Sequence, residues 1–553
     1  MTTNALELLR DELASTSLEL EAGDVGEARR VRDELVAQID DYLLPRLRQR
    51  EAPLLMVVGG STGAGKSTLV NSLVGVEVSA PGVLRPTTRA PVLACNPADV
   101  PWFESDRILP GLARGTGGAA GARGLELVAT DALPAGLALL DSPDVDSVAD
   151  ENRALAAQLL AAADSWLFVT TAARYADAVP WQLLHAASER GTALAMVLNR
   201  VPRDADEVAT HLREMLAEQG LGDADLLVVP ETRLEAGLLP AAALAPVRDW
   251  LDALAADAGA RAALIERTLA GALESIPPRV ETVRLAAQAQ VETARALAGD
   301  VDAAYERALA EVEESLSSGT LLRGEVLARW YEVVGTGDLM RAVEARVSWA
   351  RDRLRSLVTG QPPADVAVRD AVETGVESIV RAAAARAAER AARSWRERAA
   401  GRALLPPDVR LDDASPELSS RTEDEVRAWQ GDVFELVRRE GMSRRTTARL
   451  ASLGVNGAGL TVMLAVFVQT GGLTGAEVAV AGGTSALAQK VLEAIFGDQA
   501  VRALAAKARE ELVARVGRVL AGEAARFHDV LAPVAPPEDA PARLGAAVAA
   551  LRR

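Results

Sequence analysis

Val57 to Gly75 reads VVGGSTGAGKSTLVNSLVG, and within it Gly60, Gly65, Lys66 and Ser67 satisfy the spacing GxxxxGK followed by Ser or Thr. The apolar run Leu54 to Val58 ahead of it predicts a buried strand, and STLVNSLV behind it a helix. Strand, glycine loop and helix in that order commit the chain to an α/β domain with an anion seat at the start of the helix. Backbone N–H donors can converge on a phosphate only where no side chain obstructs them, which Gly60, Gly63 and Gly65 permit. Gly60, Ser61, Thr62, Gly63, Ala64, Gly65, Lys66, Ser67 and Thr68 are therefore the predicted phosphate-binding residues. Lys66 supplies the cation for the phosphates, and Ser67 a hydroxyl for Mg²⁺. The alternative is an ordinary glycine turn, but Lys66, Lys490 and Lys507 are the only lysines in a chain that otherwise uses Arg, and one stands where the motif needs it.

At 553 residues the chain has material for several domains, and its net charge of −18 argues against nucleic acid as a partner. Cys95 is the only cysteine, and His185, His211 and His528 lie far apart, so a disulfide framework and a zinc site are not expected. Cysteine usage suits a reducing cytoplasm, and MTTNALELLRDEL has no basic stretch leading into an apolar core, so no secretion signal is expected.

The order of patterns predicts a fold class: an α/β P-loop domain with a mainly parallel sheet, plus a long α-helical bundle or stalk ending in an apolar helical hairpin. Residues 1–50 are expected to be amphipathic helices that pack on the bundle, with Val31, Leu35, Ile39 and Leu43 forming a stripe. Residues 51–245 alternate short apolar runs (LLMVV, PVLAC, LELV, LALLD, SWLFVTT, ALAMVLN, DLLVVP) with helical stretches. Gly111 to Gly124 is so rich in glycine that it reads as a mobile surface loop. Residues 246–448 read as helices broken at Pro277-Pro278, Gly335 to Gly337 and Gly360 to Pro363, and residues 496–553 as returning helices with Leu504, Ala508, Leu512, Val516 and Val519 on one face.

Residues 449–495 are the second informative stretch. Leu450 to Ala476 carries no charge, and VAVAGGTSALAQ after Glu477 is uncharged again. Arg438, Arg439, Arg444, Arg445 and Arg449 lie just upstream, where an anionic membrane leaflet would attract them. A shallow or conditional membrane contact is one expectation; a helical hairpin buried in the bundle is the other.

Two further segments bear on chemistry. VLRPTTRAPV brings Thr87 and Thr88 ahead of a strand, and Thr88 is the favoured hydroxyl ligand to Mg²⁺. LALLDSPDVDS ends a strand in Asp141, whose carboxylate is expected to hold Mg²⁺ through a water. With the phosphate loop, Arg85 to Val92 and Asp141 to Asp144 resemble the GTPase core of the bacterial dynamin-like proteins, which is similar to that of Era-type GTPases. The motifs cover about the first 240 residues. The resemblance implies GTP as substrate, Mg²⁺ as cofactor, and catalytic roles for Lys66, Thr88 and Asp141. It further implies self-association or pairing with a paralogous GTPase, membrane lipid as partner, and peripheral attachment to the inner face of the cell membrane.

The chain departs from that pattern in places. Asp144 stands where the family's DxxG has glycine, and Val145 follows it where a water-orienting glutamine is found in other GTPases. The base-reading motif corresponds to Asn199-Arg200-Val201-Pro202, with Asn199 to hydrogen-bond the base and Arg200 to lie over its face; Pro202 replaces the acid, for which Asp204 or Asp206 could substitute. Slow turnover is expected, and a nucleotide-switched scaffold or a P-loop ATPase remain alternatives. Arg174 and Asp177 belong to no motif and are read as a loop or as contacts across a dimer.

Overall fold

The computed structural model describes residues 2–79, 90–105, 108–109, 112–115, 124–145, 150–177, 181, 183–185, 187, 192–202, 206–317, 364–440, 462–463, 466 and 499–552. The strands are β1 (Leu54–Gly60), β2 (Val92–Cys95), β3 (Ala113–Gly115), β4 (Gly124–Ala129), β5 (Leu137–Asp141), β6 (Ser165–Thr171), β7 (Ala193–Val201) and β8 (Asp225–Pro230). The helices are α1 (Thr2–Ser15), α2 (Val25–Gln38), α3 (Leu44–Arg48), α4 (Lys66–Val74), α5 (Val100–Phe103), α6 (Asp150–Ala161), α7 (Asp206–Glu218), α8 (Ala241–Ala256), α9 (Ala258–Ser317), α10 (Ala364–Glu397), α11 (Ala399–Leu404), α12 (Leu418–Glu440), α13 (Gln499–Leu531) and α14 (Ala540–Leu551).

The apolar runs read from the sequence lie in one eight-stranded sheet of order β3-β4-β2-β5-β1-β6-β7-β8. The β2–β5 pairing is antiparallel, whereas β1 pairs in parallel with β5 and β6, and β7 with β6 and β8. Parallel strands are covered on both faces, which is why these runs are apolar throughout rather than alternating with polar residues. Successive side chains then serve opposite layers. Leu55, Val57, Leu140, Trp166, Phe168 and Leu198 face a core with α6 and α7, while Met56, Val58, Leu139, Leu167, Val169 and Val197 face one with α4 and α8. Arg248 of α8 donates to Leu73 O at 2.9 Å, meeting a carbonyl that the end of α4 leaves unpaired.

Two sequence expectations are corrected here. Ala113–Gly115, within the glycine-rich stretch Gly111 to Gly124, is an edge strand paired in parallel with β4 rather than a mobile loop, while residues 116–123 of that stretch lie outside the described residues. Its stability comes from Arg114, whose guanidinium donates to the carbonyls of Phe103, Ser105, Ile108, Leu109 and Leu112. Pro277-Pro278 also fails to break its helix, since α9 runs through both prolines. Proline inside a helix costs about 3 kcal/mol, and the burial of Ile276, Val280, Val283 and Ala287 around it in one core offsets that.

The chain divides into two compact units: residues 1–18, 23–289 and 536–553 form one, and residues 19–22 and 290–535 the other. In the first unit the stripe Val31, Leu35, Ile39 and Leu43 packs with Leu6, Leu9 and Leu13 of α1, with α9 at Leu269 to Ala287, and with Leu544 and Ala547 of α14. In the second, α10 is lined by Ala383, Ala384, Ala387, Ala391 and Ala392, small enough for close helix approach, and with its own Trp395 shares a core with Trp429 and Phe527. Leu504, Ala508, Leu512, Val516 and Val519 are buried in the same core. Among the described residues no helix is long and apolar enough to cross a membrane. The expected hairpin lies outside them except for Val462, Met463 and Val466, as do the expected breaks at Gly335 to Gly337 and Gly360 to Pro363.

Candidate functional site

The sheet order brings four strand ends side by side. β1 pairs with β5 so that Val58 lies opposite Asp141, and with β6 so that Gly60 lies opposite Val169; β7 follows, with Asn199 opposite Thr171. The carboxyl ends of neighbouring parallel strands are where open α/β sheets bind ligands. Asp141, the glycine loop and Asn199 meet there although they are far apart in the chain.

Glycine is required where β1 turns into the loop. Gly60 has φ of +143°, and a Cβ there would lie 2.1 Å from Val169 O. The loop closes by Ala64 N donating to Ser61 O at 3.1 Å, and α4 starts when Leu69 N donates to Gly65 O at 2.9 Å. The free N–H groups of that first turn, with the positive end of the helix, are suited to an anion.

Lys66 opens α4 and is buried. Its ammonium donates to Gly60 O at 2.8 Å, Ser61 O at 3.2 Å and Asp144 Oδ1 at 2.5 Å. One residue on, Ser67 Oγ donates to Asp141 Oδ2 at 2.7 Å. The other carboxylate oxygen, Asp141 Oδ1, is buried and has no hydrogen-bond partner. A buried acceptor left unpaired is costly, so a hydroxyl and a half-satisfied carboxylate side by side suit a hard cation such as Mg²⁺. Burial pushes the Asp141 carboxyl above the usual carboxylate range and Asp144 pushes the same way, against the hydroxyls of Ser79 and Ser67 and the charge of Lys66.

Ser79 was not singled out by any motif, yet its Oγ donates to Asp141 Oδ2 at 2.7 Å. Asn71 of α4 holds it there, accepting from Val78 N and Ser79 N at 2.9 Å and donating to Ser79 O at 2.6 Å. Arg174 likewise belongs to the site rather than to a free loop. Its Nη1 donates to Thr62 O at 2.7 Å, while Nε is held by Asp177 at 2.8 Å. No spacing in the sequence signals either contact, because both depend on which strands are neighbours.

Asn199 is buried at the end of β7, donates from Nδ2 to Ala64 O at 2.8 Å and accepts from Arg200 N at 2.9 Å. It braces the glycine loop in this arrangement. Arg200 is exposed, turns with φ of +53°, and follows it directly. Thr87, Thr88 and Asp204 lie outside the described residues, and Asp206 starts α7. Cys95 is buried at the end of β2, where burial pushes its thiol up to about 12, so it offers no thiolate for chemistry at neutral pH.

No protein-family model matches the chain, and no curated protein matches it. Similar solved structures include one of an oligomerised bacterial dynamin pair, described as a mechanism for long-range sensing and tethering of membranes; the match covers 100% of this chain and 95% of that one, at 10% identity and a TM-score of 0.40. Another is the LeoA bacterial dynamin GTPase from ETEC, with 96% of this chain and 97% of that one covered, 12% identity and a TM-score of 0.24.

Proposed function

We propose that the chain is a dynamin-like GTPase: it binds and hydrolyses GTP with Mg²⁺, and couples nucleotide state to self-association and to membrane binding or remodelling. The observation that carries this reading is the 2.7 Å contact of Ser67 with Asp141, whose second oxygen is buried and unpartnered beside the cation of Lys66. A core strand-end acid has no need of a hydroxyl from the start of a glycine-loop helix, whereas a metal–phosphate site needs that pair.

In this reading the backbone from Gly60 to Thr68 cradles the phosphates and Lys66 neutralises them. Ser67, Asp141 and Thr88 would hold Mg²⁺, which when bound offsets the charge on the phosphate oxygens. Asn199 and Arg200 would meet the base. Val145 offers no group to orient a water, so unstimulated turnover is slow. The membrane part rests on the charge pattern of residues 438–489, which suits attachment at the inner face of the cell membrane, and the self-association part on the resemblance of the motifs to the bacterial dynamin-like proteins.

The test is turnover of GTP and of ATP by purified protein, each with and without anionic liposomes, with Lys66→Ala as control. GTP turnover that rises with lipid and vanishes in Lys66→Ala is expected. Turnover of ATP without GTP binding would replace the guanine assignment by an ATPase; nucleotide binding without turnover or lipid response would replace the enzyme by a switched scaffold.

A further inference from the structure

An ammonium has three protons to donate. On Lys66 all three have an acceptor within the protein: two carbonyls of the phosphate loop itself, Gly60 O and Ser61 O, and the carboxylate of Asp144 at 2.5 Å. Any phosphate oxygen that is to bond Lys66 must therefore displace one of them. The two carbonyls are fixed by the loop backbone. Asp144 is the exchangeable one, because its side chain is 35% exposed against 5% for Lys66.

The backbone that carries this carboxylate is held in place by its neighbours. Ser142 donates to Val58 O from both N, at 3.2 Å, and Oγ, at 2.9 Å. Val145 is buried in the core shared with α6 and α7. With the backbone pinned on either side, the Asp144 side chain stays within reach of Lys66, and a change of rotamer is what takes it off. Among the described residues Asp144 is the only carboxylate hydrogen-bonded to that ammonium; Asp141 acts on it through its charge alone.

We infer that Asp144 is a nucleotide-state selector: its carboxylate holds the place on Lys66 that the terminal phosphate of a nucleoside triphosphate must take. The inference rests on the phosphate-loop reading proposed above. A triphosphate brings its most highly charged group up to Lys66, and there it meets a carboxylate of like charge. Binding then requires Asp144 to swing off Lys66, and the apparent affinity is lowered by the fraction of molecules in which it has not. A diphosphate stops one phosphate short and reaches Lys66 only with its β-phosphate, so the carboxylate opposes it less. The protein thus favours the diphosphate-bound state until something draws Asp144 away. A glycine at this position, as in the motif the chain departs from, carries no such charge.

The experiment is an equilibrium titration of wild type, Asp144→Asn and Asp144→Glu with GDP and a non-hydrolysable GTP analogue, and with the adenine counterparts of both. Thermal melting establishes that each variant is folded. Asp144→Asn is expected to raise affinity for the triphosphate analogue about tenfold while changing that for the diphosphate less than about threefold, as release of a self-capped site would. Asp144→Glu, which keeps the charge, is expected to keep the preference for diphosphate. An unchanged triphosphate-to-diphosphate ratio in folded Asp144→Asn overturns the selector. If only the adenine pair binds and shows the shift, the selector stands and the guanine assignment falls. If no nucleotide binds any folded variant, the phosphate-loop reading fails and takes the selector with it.

Discussion

Gly65 turns at φ of +95°, and a Cβ built there would lie 2.5 Å from Asn199 Nδ2. That amide is not free to retreat, since it donates to Ala64 O at 2.8 Å from a buried position. Gly65→Ala therefore adds backbone strain of about 1–3 kcal/mol and pushes the brace off the loop. The expected outcome is a loss of nucleotide affinity on the order of tenfold or more, since about 1.4 kcal/mol is a factor of ten. Calorimetric titration reads it, with melting to show that the sheet is intact; wild-type affinity in the alanine variant would mean that Asn199 does not position the loop. The same residue shows where reading a sequence stops. Asn199 is recognisable as a polar residue ending an apolar strand, but its bond to Ala64 exists only because β7 lies beside β6 and β6 beside β1. Ser79 on Asp141 and Arg174 on Thr62 are hidden for the same reason, whereas Lys66, Ser67 and Asp141 announce themselves by spacing and by the strands they end.

At the scale of elements, strands buried on both faces were legible because their composition is that of the layer they fill: Met56, Val57 and Val58 have no polar partner among them. Ala113–Gly115 was not, because an edge strand of three residues is held by backbone pairing and by the carbonyls that surround Arg114, which leave no hydrophobic period. Pro277-Pro278 misled for the opposite reason, a local preference overridden by the burial of Ile276 and Val280. Polar joints between helices are the least legible of all. Glu523 of α13 is fully buried, and accepts from Ser415 N at 2.8 Å, Ser415 Oγ at 2.5 Å, Arg526 Nη1 at 2.9 Å and Arg421 Nη2. Burial alone would raise its carboxyl, but Ser415 and Arg526 outweigh it and hold it below the ordinary value of 4.5. A carboxylate depressed in the folded state contributes stability that is complete above its unfolded value and is lost as pH falls through the folded one. Glu523→Gln is therefore expected to lower stability at neutral pH by about 2–3 kcal/mol and to flatten the acid-side decline. Melting curves from neutral pH to below 4.5 check this, and a variant whose curve runs parallel to wild type at every pH would rule out Glu523 as the titrating joint.

Over the whole molecule, a net charge of −18 sets the terms on which it can meet an anionic surface. A chain of that charge is repelled at long range, so attachment needs a segment of opposite sign that approaches within roughly a Debye length, about 8 Å in physiological salt. Arg438 and Arg439 close α12, and Arg444, Arg445 and Arg449 follow in residues outside the described part, ahead of the uncharged stretch from Leu450 to Ala476. Each basic residue near an anionic leaflet contributes about 1 kcal/mol. Replacing Arg444, Arg445 and Arg449 together by Gln should therefore weaken binding to anionic vesicles by about 3 kcal/mol, roughly a hundredfold, while leaving nucleotide binding as it is. Co-sedimentation with vesicles of anionic and of neutral lipid, at low and at high salt, separates the two forces involved. Electrostatic capture predicts binding to anionic vesicles that salt removes and that the triple variant lacks. Equal binding to neutral vesicles, indifferent to salt, would assign attachment to the uncharged stretch alone. Binding to neither would leave that stretch as a buried hairpin, and the nucleotide cycle would then act on protein partners rather than on lipid.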